Sequence, residues 1–303
     1  MIELAPALLA WYERHGRSHL PWRQTRDPYR IVVSEFMLQQ TQVERVLPLY
    51  LAFVAAFSNF AALAAAPTAD VVRAWRGLGY NSRAIRLQRL ARTVLEQHAG
   101  SLPSEREALL ALPGIGPYTA AAIRAFAFEA SDAALDTNIR RIVHRTLFGI
   151  EHPPLASASE IDVRANASVP AQRGHDWNSA MMDLGSTLCT ARAPKCLLCP
   201  LQTGCSAAPI DGVALAAAAA KTRKRSPQEA LPFERTTRFL RGRIIDALRD
   251  LPPTHAVSLL QLERDLSSCI PRDRLSEIPG VVEALVRDGL VHASERGVAL
   301  SNV

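Results

Sequence analysis

Four cysteines, Cys189, Cys196, Cys199 and Cys205, fall within 17 residues, separated by six, two and five positions, and Pro194 and Pro200 shape the loops between them. Thiols this dense form disulfides or hold a metal centre, and in a reducing compartment the metal centre is favoured. Such a compartment is expected. No run of 18 uncharged apolar residues occurs, and the first 20 residues carry Glu3, Glu13, Arg14 and Arg17 with no cleavable apolar stretch. Neither a membrane span nor a secretory signal is readable, so the expected location is cytoplasmic, nucleoid-associated if the source is prokaryotic. Four thiolates suit zinc or a [4Fe-4S] cluster. Zinc sites usually favour two short CxxC pairs and only Cys196 and Cys199 form one here, so the spacing leans toward the cluster. Cys269 stands alone in the tail and reads as a buried apolar residue.

At 303 residues and 48% hydrophobic, the chain has room for two or three packed domains and is too apolar for general disorder. Only 6% of it is aromatic, and its many Ala, Leu and Arg residues favour helices. Segments 31–43, 84–97, 105–111, 117–128 and 137–148 carry a helical period, with stops at Pro48, Pro67, Gly77, Gly79, Gly100, Pro103, Pro113, Gly114 and Gly149. An all-α architecture follows. Residues 206–233 turn Ala-rich and then basic, through Lys221, Arg223, Lys224 and Arg225, and read as a linker. Beyond it, Phe239, Ile244, Ile245, Leu248 and Leu251 share one helical face, and Leu259, Leu260, Leu262 and Leu266 mark a second helix. A third begins near Pro279 and ends at Gly289, after which 290–293 and 298–300 flank a turn at Gly297. Residues 234–303 therefore predict a small winged-helix-like domain.

Three segments carry chemistry. Leu112-Pro113-Gly114-Ile115-Gly116-Pro117-Tyr118 sits between two helical segments; its Gly114, Ile115 and Gly116 form a turn that would present backbone N–H groups and a helix N-terminus to one phosphate, a helix-hairpin-helix signature. The bland alternative is an ordinary tight turn. Asp136 stands at a helix start, where a capping role is the simplest reading. Glu35 lies in Ser34-Glu35-Phe36-Met37-Leu38-Gln39-Gln40-Thr41-Gln42, read as helical, where apolar neighbours would raise its pKa. The net charge of +6 permits a polyanionic partner.

Together with Gly77-Leu78-Gly79-Tyr80, the stretch Asp136 to Arg141, Asn178 to Gly185 and the cysteine run, these segments resemble adenine DNA glycosylases of the MutY type, within the endonuclease III and helix-hairpin-helix superfamily, over residues 8–205. Glu35 with Gln39-Gln40-Thr41, and Tyr118, are the more selective parts of the match. The resemblance implies a two-lobed helix-hairpin-helix DNA glycosylase fold: a six-helix barrel over 22–130, and a cluster domain built from 1–21 and 131–205. It also implies a [4Fe-4S] cluster on the four thiolates, with Arg192 and Lys195 offered to phosphates.

By the same resemblance, Glu35 protonates the departing adenine, Asp136 stabilises the cationic sugar, and Tyr118 and Asn138 orient the two acids. Where bifunctional relatives carry a lysine, Tyr118 lacks an amine, which implies a monofunctional hydrolase. The base must be flipped out; Gln39, Gln40, Thr41 and Tyr80 are candidates to fill the gap, and Trp22, Arg23, Leu38 and Ser179 to line the base pocket. The implied partner is double-stranded DNA with an adenine opposite 8-oxoguanine or guanine, bound by a monomer.

The usual C-terminal domain that reads 8-oxoguanine is not found in the tail. Position 137 is Thr where many relatives have Gly, Ser179 replaces a longer polar residue, and Arg17 is displaced by one position from the usual arginine. Two rivals stay open: a thymine or uracil mismatch glycosylase of the same superfamily, which Ser179 permits, and a non-catalytic iron-sulfur DNA-binding regulator.

Overall fold

The computed structural model describes residues 4–222, 232–252 and 255–302. In chain order the helices are α1 Leu4–His15, α2 Pro28–Leu38, α3 Val43–Ala56, α4 Phe60–Ala65, α5 Thr68–Ala74, α6 Ser82–His98, α7 Arg106–Leu110, α8 Pro117–Phe128, α9 Thr137–Leu147, α10 Ala158–Asn166, α11 Gly174–Thr187, α12 Gly212–Thr222, α13 Thr237–Arg249, α14 Leu259–Leu266 and α15 Ile278–Arg287. A two-stranded antiparallel ribbon, β1 Val291–Ser294 and β2 Gly297–Leu300, follows. No helix among the described residues is long and apolar enough to cross a membrane.

The chain divides into two compact units. The first comprises Met1–Glu35 and Pro103–Arg225. Its core is built by helical spacing: Ile139, Ile142 and Val143 on α9 meet Trp177, Ala180, Met181 and Leu184 on α11, with Leu8 and Tyr12 of α1 alongside. Each set recurs every three or four residues, which stacks it on one helix face. Helix α10 opens with a capping box in which Ser157 and Glu160 satisfy each other's backbone N–H groups.

The second unit comprises Phe36–Leu102 and Ser226–Val303. Its tail portion is the expected three helices and wing, and Val257 adds a single bridge to Val298. Gly297, at φ +117°, turns the ribbon where a Cβ would strike the Val257 carbonyl. The sequence sets 234–303 apart as a domain; in the structure Leu240, Ile244, Leu248 and Leu285 share one core with Ala69, Val72 and Ile85. Arg249 reaches the same segment, donating to the Val72 carbonyl at 3.0 Å and to Asn81 at 2.7 Å.

Several local expectations are corrected. The helix read over 31–43 ends at Leu38, and Gln40 takes a left-handed φ of +54°; the polar run Gln39-Gln40-Thr41-Gln42 offers no apolar face to continue it. Pro48 lies inside α3 rather than ending it. The hydrogen bond it removes is outweighed by burial of Val46, Tyr50 and Phe53 on the same helix. The segment read as a linker contains α12, while its basic residues Arg223, Lys224 and Arg225 lie outside the described residues. Cys269 is exposed, not buried; it follows the end of α14, and Ile270 beside it takes the core position.

Candidate active site

Glu35, on α2, is only 6% exposed. Burial pushes its carboxyl up to about 7; the hydroxyl of Tyr118, which donates to it, opposes that rise, nearby Asp136 adds to it, and Arg23 opposes it again. The Tyr118 phenol is raised well above its ordinary value, by burial and then by the charges of Glu35 and Asp136, so it serves as a neutral donor. Glu35 and Tyr118, 83 positions apart in the chain, are thus hydrogen-bonded, and Asp136, 101 positions from Glu35, lies near enough for its charge to act on both.

Asp136 caps α9. One of its oxygens accepts from the Ile139 N–H at 2.7 Å and the other from the Asn138 amide at 2.9 Å. The cap that the sequence suggested is present, and it fixes the carboxylate at the helix start. Asn138 is itself held by Arg141, which donates to its side-chain oxygen at 2.8 Å and to the carbonyls of Gly185 and Cys189 at 2.8 and 2.9 Å. A Cβ on Gly185 would stand 2.6 Å from the Asn138 Cβ, so only glycine lets α11 pass that close.

Arg23 forks onto Asp183, at 2.6 and 3.0 Å, and reaches the Ser179 carbonyl at 3.5 Å. Arg17 also donates to Asp183, from its backbone at 2.8 Å and from Nε at 2.7 Å. Burial alone would push the Asp183 carboxyl up, but the Arg23 fork, the Arg23 charge and Arg17 outweigh it and hold it low. Trp22 is buried next to Arg23. The Ser179 hydroxyl is fully buried with no hydrogen-bond partner among the described residues.

Gly114, at φ +82°, and Gly116 lead into α8. No side chain caps that helix and its first residue is Pro117, so the N–H groups of its first turn stay free for an anion. Ile115 of the same turn points inward and is buried.

Leu38 and Gln39 are half-buried, and Gln40 is exposed. Arg83 binds this turn to the Gly77–Tyr80 loop. Its buried guanidinium donates to the carbonyls of Phe36, Met37 and Gln39 at 2.8, 3.1 and 2.6 Å, to the Thr41 hydroxyl at 3.2 Å, and to the carbonyls of Leu78 and Gly79 at 2.9 and 3.2 Å. Sequence reasoning missed Arg83, and it gave Asn178, Asp183 and Gly185 no individual role although they lie in the segment Asn178 to Gly185 that carries the resemblance. Asn178, fully buried, fixes the strand of chain before Asp136 by accepting from the Ala134 N–H and donating to the Asp132 carbonyl.

The four cysteines line one cavity of about 20 Å³ together with Ile142, Leu184 and Leu201. Burial pushes the Cys199 thiol up to about 11 and also raises Cys205. Fully buried Arg145 forks onto Glu151 at 2.6 and 2.7 Å and donates to Cys189 Sγ at 3.7 Å. Among the described residues no three His, Cys, Asp or Glu side chains form a site for a single metal ion. A zinc ion would need sulfurs about 3.8 Å apart around Zn–S bonds of ~2.3 Å. Four thiols around one cavity are a donor set for a metal centre, and Arg145 beside Cys189 supplies a cation to offset thiolate charge. Arg192 and Lys195 are exposed on the same loop with no ion pair among the described residues.

A family model described as HhH-GPD superfamily base excision DNA repair protein matches residues 33–164. The chain is similar to the adenine DNA glycosylase of Mycolicibacterium smegmatis, 39% identical over 292 residues, which cover 96% of this chain and 93% of that one. It is 38% identical to the adenine DNA glycosylase of Mycobacterium tuberculosis over 94% of this chain and 88% of the relative. Among solved structures, a thermostable thymine-DNA glycosylase superposes with a TM-score of 0.62 at 32% identity, covering 66% of this chain and 92% of that chain.

Proposed function

The chain belongs to the adenine DNA glycosylases of the helix-hairpin-helix base excision repair superfamily, and on that premise we propose that Glu35 protonates the departing adenine while Asp136 stabilises the positive charge that develops on the sugar. The protein is an N-glycosylase hydrolase, monofunctional, acting on adenine. Adenine leaves poorly as an anion, so ring protonation and sugar-charge stabilisation are the two needs that a pair of carboxyl groups in different environments can meet. The observation that carries the reading is the Glu35 carboxyl pushed up to about 7 and contacted by Tyr118, beside an Asp136 whose two oxygens both accept hydrogen bonds. Glu35 then holds its proton near neutral pH, and the Asp136 oxygens face the reaction as acceptors.

Tyr118 orients Glu35 and cannot form a Schiff base. Arg23, anchored on Asp183, supplies a polar group for a base edge, with Trp22 as apolar wall, while the fully buried Ser179 hydroxyl lies behind that surface. Double-stranded DNA is the substrate: the free N–H groups at the start of α8 and the exposed Arg192 and Lys195 bind phosphates, and Gln39, Gln40, Thr41 and Tyr80, on loops held by Arg83, occupy the space that the flipped nucleotide leaves. The preferred pair is adenine opposite 8-oxoguanine or guanine.

Cys189, Cys196, Cys199 and Cys205 hold a [4Fe-4S] cluster. When bound it supplies a covalent brace for the loop that carries Arg192 and Lys195; hydrolysis itself transfers no electron. Iron and acid-labile sulfide in the purified protein, with zinc absent, are the expected composition.

The test is a panel of duplexes with A:8-oxoguanine, A:G, T:G and U:G pairs, incubated with the protein and then cleaved at abasic sites with alkali. Adenine strands are expected to break, with Asp136→Asn binding the duplex but leaving it intact. Cleavage confined to the pyrimidine strands would overturn the assignment.

A further inference from the structure

Tyr80 takes a left-handed φ of +45°, a conformation bulky residues rarely adopt, and the residue is 38% exposed. Two guanidinium groups face it. Arg83 lies 5.6 Å from the ring centroid; Arg238, at the start of α13, lies 3.8 Å from it and donates to the Tyr80 hydroxyl at 2.6 Å. The tail thus reaches the loop that the sequence singled out for DNA and fixes its aromatic ring by stacking and by a hydrogen bond.

Beside this contact opens a cavity of about 540 Å³, lined by the Gly77–Ser82 loop, Arg45 and the first turns of α13. Its charge is unbalanced. Arg243 and Arg249 share Asp246, and Arg241 pairs with Asp288; Arg45 and Arg238 have no carboxylate partner among the described residues. Repulsion from Arg238 adds to the burial that lowers the Arg83 pKa to about 10. The two arginines left without an acid call for a counter-ion. Phe233, 54% exposed and 5.8 Å from the Arg238 guanidinium, adds a second open ring at the rim.

An acidic peptide would satisfy the arginines and leave the open Phe233 ring unused. A nucleotide uses both: a phosphate on the guanidinium groups and a base on a ring. The volume falls within the ~300–1,000 Å³ of ordinary ligand pockets. We propose that this cavity is a nucleotide-binding site for a DNA strand, its phosphate held by Arg45 and Arg238 and its base set against Phe233, so that the tail is part of the DNA-binding surface. The inference rests on the reading of DNA as substrate and extends it to residues outside the catalytic pair.

The experiment measures affinity of the full chain for an A:G duplex as a function of salt, with adenine excision by the same preparations. Arg45 and Arg238 are exposed, so their replacement leaves the fold intact. Arg238→Ala and Arg45→Ala are each expected to weaken binding several-fold and to reduce the slope of log K against log salt by about 0.9. Arg264→Ala, an exposed arginine outside the cavity, is expected to leave the slope as in the wild type. Unchanged slopes for both cavity variants, with wild-type excision intact, would overturn the site and leave the activity standing. An equal drop in Arg264→Ala would also overturn it, since the effect would then belong to the diffuse field of the molecule. A wild type that binds but excises nothing would overturn the activity alone.

Discussion

Glu35 links its position to a pH dependence with a definite sign. Its carboxyl titrates at about 7 in the folded protein against an ordinary 4.5, so the proton donor is present below that value and lost above it. Single-turnover adenine excision is expected to fall as pH rises through about 7, and a rate that climbs steadily to pH 9 would contradict the acid role. Stability follows the same sign: the folded state binds the proton more tightly, so this group weakens folding as pH rises from about 4.5 to about 7. Glu35→Gln is therefore expected to melt higher than wild type at pH 8, by a free energy on the order of 3 kcal/mol, with no gain at pH 4. Gly185 makes a second case. Alanine inside a helix normally gains about 1 kcal/mol over glycine, but here the added methyl would strike Asn138. Gly185→Ala is expected to lower excision 10- to about 100-fold with duplex binding retained, because a displacement of ~1 Å at an orienting group costs that much; kinetics beside a binding curve will show it.

At the scale of elements, what the sequence reveals is uneven for a physical reason. Local patterns were readable: α8 and α9 begin and end within a residue of the expected segments 117–128 and 137–148, since their stops and apolar spacing are encoded in neighbouring residues. Asp136 was visible as a cap for the same reason. The pairings that hold the site are not local. Arg83 looks like one more cation in the amphipathic run of α6, yet it turns inward to carbonyls 44 to 47 positions earlier and to the Thr41 hydroxyl, as well as to the carbonyls just before it. Nothing in its neighbours announces that. Arg83→Ala would leave those carbonyls buried and unpaired, at a cost of roughly 3 kcal/mol or more. Faster amide exchange is expected in both 39–41 and 77–80 at once; Arg83→Lys, without the planar fork, should not restore protection. Unaltered exchange in either loop would remove Arg83 as their common tie.

For the whole molecule, the tail belongs to the second unit's core, which composition and linker signals did not reveal because they mark chain boundaries and not contacts. Cutting the chain after Arg225 would uncover Ala69, Val72 and Ile85 along with the backbone and side-chain partners of Arg249. The shortened protein is expected to bind a hydrophobic dye and to melt well below the full chain; an unchanged melting temperature would show the tail to be an independent appendage. The same unit holds the Arg238–Tyr80 contact, so truncation would weaken DNA binding as well as folding.

Helix α9 carries Asp136 at its head, and Arg141 and Arg145 further along touch the Cys189 carbonyl and sulfur. Eleven residues make a rod about 16 Å long, and the acid that we propose faces the sugar is bolted to the same rod as the four-cysteine loop. Oxidative damage at that loop would therefore not stay there: an agent that never approached the substrate could silence the enzyme by tilting one strut.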